Sequence, residues 1–137
     1  MPPVHSLPSF CFSVNQMLLD PHFRTIRGLA ALVEKDWCAF GHKFQQRCGH
    51  GLPDKGNQER SPIFLQWLDM VHQVRRQYPD AFEFNDRLLV FLADHAYSGL
   101  FGTFLGDSER ERAFCDGRGM DCRHRTVSVW TCKWYTP

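Results

Sequence analysis

The sequence lacks a charge imbalance. Its 137 residues carry 16 Lys plus Arg against 15 Asp plus Glu, a net charge of +1. No global field draws such a chain to nucleic acid or to an acidic partner, so any anion site must be local. It also lacks a long apolar run, and none approaches the ~20 residues of a membrane-spanning helix. The apolar stretch from Met1 to Leu19 has no basic n-region, which argues against a secretory signal. Both absences lead us to expect a cytoplasmic chain that meets membranes from outside. A dense cysteine framework is missing too. Cys11, Cys38, Cys48, Cys115, Cys122 and Cys132 are scattered, so free thiols in a reducing compartment are expected in place of three disulfides. There is no internal repeat, low-complexity tract, Gly-rich phosphate loop, Ser/His/Asp arrangement or basic–aromatic nucleic-acid patch.

What is present is a core. The chain is 43% hydrophobic with 12 Phe and 4 Trp, enough to fill one domain and no more than one. Residues 1–16 carry three Pro and read as a loose lead-in. Asp20-Pro21 can cap and open a helix. The apolar residues Ile26, Ala30, Val33 and Trp37 then fall on one helical stripe. Gly49 to Gln58 is a polar loop. Ser61-Pro62 reads as the start of a helix, with Ser as cap. That helix runs to about Tyr78, with Ile63, Phe64, Trp67, Leu68, Val71, Val74 and Tyr78 on one stripe, and Pro79 ends it. Phe82 and Phe84 mark a short extended link. Asn85 caps a helix from Asp86 to about Ser98, whose run Leu88 to Ala93 is apolar all round, as in a buried helix. Asp107 to Arg125 reads as a surface loop, and Arg125 to Trp130 is the one strand candidate. By itself the chain is expected to be mostly α-helical.

Several motifs agree in order and spacing. They are Gly28 to Gly51 with Phe40-Gly41-His42-Lys43, Arg47 and Gly49-His50-Gly51; Glu59-Arg60-Ser61-Pro62; Phe64-Leu65-Gln66; Ala81-Phe82-Glu83-Phe84-Asn85; and Leu100-Phe101-Gly102-Thr103-Phe104-Leu105. On these residues the chain resembles the myotubularin family of phosphoinositide phosphatases, from about Met17 to Trp130. The resemblance implies an α/β parent fold of the cysteine-phosphatase type, of which residues 17–137 are a partial domain downstream of the catalytic loop, with 1–16 unmatched. It implies hydrolysis of the 3-phosphate of phosphatidylinositol 3-phosphate and phosphatidylinositol 3,5-bisphosphate on endosomal membranes, through a phosphocysteine and with no metal or other cofactor. The implied partners are phosphoinositide head groups at a membrane surface and other myotubularin-like chains; no nucleic acid is implied. The alternative reading is a catalytically inactive adaptor that binds an active relative.

The family nucleophile lies in a Cys-x5-Arg loop, where positive charge and a helix N-terminus stabilise the thiolate. Six residues beyond Cys11, Cys38, Cys48, Cys115 and Cys122 stand Met17, Phe44, Asp54, Asp121 and Ser128, and Cys132 runs off the end. No catalytic residue is therefore assigned. Cys115-Asp116-Gly117-Arg118 is a decoy with its Arg three residues on. Where the family has the catalytic loop and its following helix, this chain has Phe10-Cys11-Phe12-Ser13-Val14-Asn15. The resemblance assigns Lys43 and Arg47 to the head-group phosphate. They lie four apart, on one face if helical; Arg gives a bidentate contact and Lys a point charge. The remaining candidates have bland readings. His42 is packed structure, Glu34 and Asp36 lie on a solvated helix face, and Trp37, Phe40 and Phe44 are core. Asp69, His72 and Arg75 form a polar ridge. A zinc site from Cys48-x-His50 and Cys122-x-His124 fits no known finger spacing.

Overall fold

The computed structural model describes residues 7–50, 60–113 and 126–132. Among them there is no strand. Helix α1 (Leu7–Leu19) leads through a 3-10 turn, Pro21–Arg24, into α2 (Ile26–Leu32), which continues as a π-helical segment, Val33–Ala39. Then come α3 (Phe44–Cys48), α4 (Ile63–Gln77), a 3-10 turn at Pro79–Ala81, α5 (Asp86–Ser98), a 3-10 turn at Gly102–Phe104 and α6 (Glu109–Ala113). A last 3-10 turn covers Val129–Thr131. It replaces the strand expected at Arg125 to Trp130; Ser128 accepts from Trp130 N–H and curls the backbone locally. The loose lead-in is also corrected, because residues 7–16 are helical.

The caps follow from short polar side chains. Asp20 accepts from His22 N–H at 2.9 Å, and Thr25 accepts from Gly28 N–H at 2.9 Å. Asn85 accepts from the amides of Arg87 and Leu88, the bonds an N-cap makes. The Ser61 cap does not form: α4 begins at Ile63 with Pro62 as its cap residue, and Ser61 N–H instead donates to Arg47 C=O at 3.3 Å. Gly28 has a tighter role. A Cβ there would sit 1.9 Å from the His22 carbonyl oxygen, so only glycine lets the 3-10 turn fold back on α2.

One aromatic centre gathers these elements. Trp37, Phe44, Phe64, Trp67 and Phe104 are buried together. Trp37 lies 5.0 Å from Phe64 and 5.2 Å from Trp67, and Phe44 lies 5.0 Å from Phe104. Helix α4 supplies Ile63, Phe64, Trp67, Leu68 and Val71 and touches both α1 and α5. Three expectations fail here. Tyr78, placed on the apolar stripe of α4, is 63% exposed, because the helix ends at Gln77 and Tyr78 is its cap residue. Phe40 is 73% exposed, because the π segment ends just before it and Gly41 turns at φ +80°. Helix α5 buries Leu88, Leu89, Leu92 and Ala96, but Val90 and Tyr97 face outward, so it is amphipathic.

Polar ties join the helices. The expected ridge on α4 becomes a clamp. His72 Nδ1 and Arg75 Nη1 meet Asp86 Oδ1 at 2.9 and 2.8 Å, and Arg75 Nε donates to Phe84 C=O. Asp36, expected on a solvated face, is only 2% exposed. Gln16 Nε2 donates to its Oδ2 at 2.6 Å, Ser13 Oγ lies 3.2 Å from the same oxygen, and Lys35 Nζ lies 3.4 Å from Oδ1. A buried carboxylate thus pins α1 to the π segment, and these bonds offset its desolvation.

Replacing Gly28 by Ala tests the close approach. Such a change inside a helix ordinarily gains about 1 kcal/mol. Here the overlap reverses the sign, and a net loss of about 1–3 kcal/mol is expected in urea unfolding.

Candidate functional site

The site is built on α3. Phe44 plugs this one-turn helix into the aromatic centre, and Gly49 ends it at φ +71°. Lys43 is the cap residue and is exposed; Arg47 lies one turn on and is 6% exposed. Arg47 N–H donates to Lys43 C=O at 2.8 Å, so the pair is spaced by a single main-chain bond. The expected pairing on one helix is not met in full: Lys43 lies at the cap, outside the helix that carries Arg47. The environments differ, with one charge in water and the other sunk among the core residues.

His42 precedes the pair. Its ring lies edge-on to Trp37 at 4.9 Å and to Phe44 at 4.7 Å. Neither ring nitrogen finds a hydrogen-bond partner among the described residues. Burial first, and the Arg47 charge second, push its pKa down to about 4. His42 is a neutral packing group at physiological pH, as expected for packed structure.

Three supports were not legible beforehand. Asp107 Oδ1 accepts from Gln46 N–H at 3.0 Å, holding α3 from 61 residues away. The Arg60 guanidinium packs over Gly49, where a Cβ would lie 2.7 Å from its Nε. The Ser61 to Arg47 bond closes the base of the intervening loop. Only the glycine carried a signal in the sequence.

A second feature is a cavity of about 250 Å³ lined by Glu34, Cys38, Thr103, Glu109, Arg112 and Thr126, among others. Arg112 is 5% exposed and donates to the carbonyls of Leu105 and Cys38. The Cys38 thiol donates to Thr103 C=O at 3.4 Å, and burial drives its pKa up, which leaves it inert. Burial likewise raises Cys48 to about 11. Both shifts disfavour the thiolate, the nucleophilic form of a cysteine. Cys11, Cys38, Cys48 and Cys132 are free. Among the described residues no cluster of His, Cys, Asp and Glu is placed to hold a metal; Cys122 and His124 of the zinc reading, and the decoy Cys115 to Arg118, lie outside them. No described helix is long and apolar enough to cross a membrane.

Residues 8–113 match the family model of the myotubularin-like phosphatase domain. The chain belongs to the myotubularin family. It is 49% identical over 118 residues to the phosphatidylinositol-3,5-bisphosphate 3-phosphatase MTMR6 of Caenorhabditis elegans, covering 85% of this chain and 17% of that protein. It is 49% identical over 119 residues to MTMR2 of Bos taurus, covering 87% and 18%. Against MTMR4 of Homo sapiens it is 48% identical over 118 residues, covering 86% and 10%. The chain therefore spans under a fifth of the length of these myotubularin relatives. The family match takes in α1 and both Lys43 and Arg47.

The His42 environment gives a pH signature. An unfolded His titrates near 6.5 and this one near 4. As pH falls through that window the unfolded chain takes up a proton that the folded chain refuses, so stability is full above the upper value and declines toward the lower. His42→Phe, which keeps the aromatic contacts, is expected to flatten the decline. Thermal melts of both forms from pH 7 to pH 4 check it; parallel curves would remove the assignment.

Proposed function

We propose that this chain is the part of a phosphoinositide 3-phosphatase domain that lies downstream of the catalytic loop, and that Lys43 and Arg47 hold a head-group phosphate. The observation that carries this reading is the 48–49% identity to relatives named as phosphatidylinositol-3,5-bisphosphate 3-phosphatases. In this reading the parent fold is α/β and residues 17–137 buttress the nucleophile loop. The substrates are phosphatidylinositol 3-phosphate and phosphatidylinositol 3,5-bisphosphate, met at the surface of endosomal membranes. Other myotubularin-like chains are the remaining candidate partners.

The division of labour follows from placement. Arg47 presents a planar fork suited to two phosphate oxygens. Its low exposure makes each charge contact stronger than the same contact in water. Lys43 is a solvated point charge at the rim, suited to steering and to a looser contact. His42, kept neutral, adds packing and no competing charge.

Two results test the reading. The 137-residue chain has no Cys-x5-Arg loop and is expected to release no phosphate from phosphatidylinositol 3-phosphate; metal-independent release would overturn that. In vesicle co-sedimentation the chain is expected to prefer vesicles containing phosphatidylinositol 3,5-bisphosphate over phosphatidylinositol alone. Arg47→Gln should weaken binding by roughly tenfold, the loss of one charge-assisted contact. Lys43→Ala should weaken it only ~3-fold, as an exposed charge does. Equal binding to both vesicle types would refute the head-group role.

A further inference from the structure

Helix α1 buries polar side chains beside apolar ones: Met17 joins the core, and Phe10 and Val14 pack against it. Its buried positions are Ser9, Ser13 and Met17, flanked by Gln16, and the two serines and the glutamine are all polar. Its outward positions are Cys11, Phe12, Asn15, Leu18 and Leu19. Phe12 is 65%, Leu18 53% and Leu19 83% exposed. These outward residues recur at i, i+1, i+4, i+7 and i+8, a single stripe about 12 Å long on a 13-residue helix. The inward polar side chains are explained by Asp36, which Ser13 and Gln16 approach. Among the described residues nothing covers the outward face, and an exposed apolar patch of this kind marks an interaction surface.

We propose that this stripe is a docking face for the remainder of a myotubularin-like phosphatase domain, the portion of the relatives outside their match to this chain. Three observations select that occupant. The family match starts at residue 8, so α1 is an element of the family domain and not an appendage. More than four-fifths of each relative described above lies outside its match, which leaves ample chain to cover the face. Residues 7–19 contain no charged side chain at all, so the complementary surface is apolar and uncharged. A lipid surface fits less well, because an interfacial helix carries Lys or Arg on its flanks. A second copy of the chain fits less well too. One short stripe interrupted by Asn15 falls short of the ~800 Å² per partner of a stable interface. The proposal rests on family membership and is independent of the head-group role of Lys43 and Arg47.

The test places the same substitutions in two settings. One is the chain alone. The other is the Caenorhabditis elegans relative in which residues 8–113 of this chain replace the corresponding part of its matched segment. Phe12→Asp and Leu18→Asp are expected to leave the Tm of the chain alone unchanged, since both sites face water there. In the chimera each should lower Tm by roughly 5 °C or more, because the carboxylate becomes buried without a partner. Equal Tm changes in the two settings would overturn the proposal, as would a chimera with the native stripe that does not fold. Sedimentation velocity and vesicle binding of the chain alone cover the other occupants. A discrete dimer abolished by Leu18→Asp would assign the face to a second copy. Vesicle association abolished by Leu18→Asp but not by Arg47→Gln would assign it to lipid.

Discussion

Trp37 is the contact on which the other elements depend. Its indole touches Phe64 and Trp67 of α4 and the ring of His42, and it is fully buried. Each such pair contributes about 0.5–1.5 kcal/mol beyond the area it buries, and this one residue makes three. The consequence is positional as much as energetic. Trp37 fixes the end of the π segment against α4, and Phe44 meets the same centre from α3. Arg47 sits one turn beyond Phe44, so the depth of its charge is set by an aromatic lock three to ten residues upstream. The phosphate-binding reading and the core are in this sense one structure.

The long helices were legible because their signals are local. The apolar stripe of α4, Pro79 at its end and the Asn85 cap of α5 need no tertiary information. The misses are non-local. Asp36 looks like any helix-face carboxylate until Ser13 and Gln16 arrive from 23 and 20 residues upstream. Phe40 looks like core by composition, yet it follows the π segment and turns outward. The lead-in was misread because an uncharged, Pro-containing stretch with apolar residues on both sides carries no amphipathic signature. For the site, the spacing of Lys43 and Arg47 was readable, whereas their unequal burial depends on Phe44, on the Ser61 bond and on Asp107, which reaches Gln46 from 61 residues away.

Family membership and physical reading meet at α1. The family match takes in this helix, and its inward side ties to Asp36 through Ser13 and Gln16 while Met17 enters the core. A helix anchored by hydrogen bonds on one side has its orientation set before its other side is covered. Such an element suits a junction, since the polar side sets direction and the apolar side supplies adhesion.

The π-helical stretch has a different kind of consequence. Phe40 N–H reaches Lys35 C=O and His42 N–H reaches Trp37 C=O, both across five residues. The segment therefore holds one residue more than a regular helix would in the same rise. Shortening it by one residue would restore ordinary helical winding and rotate everything after the cut by ~100°. Trp37 or Phe44 would then leave the aromatic centre, and the charge of Arg47 would swing with it. The surplus residue works as a phase setting. It brings two faces of the chain into register, so the length of this stretch is as constrained as its buried side chains.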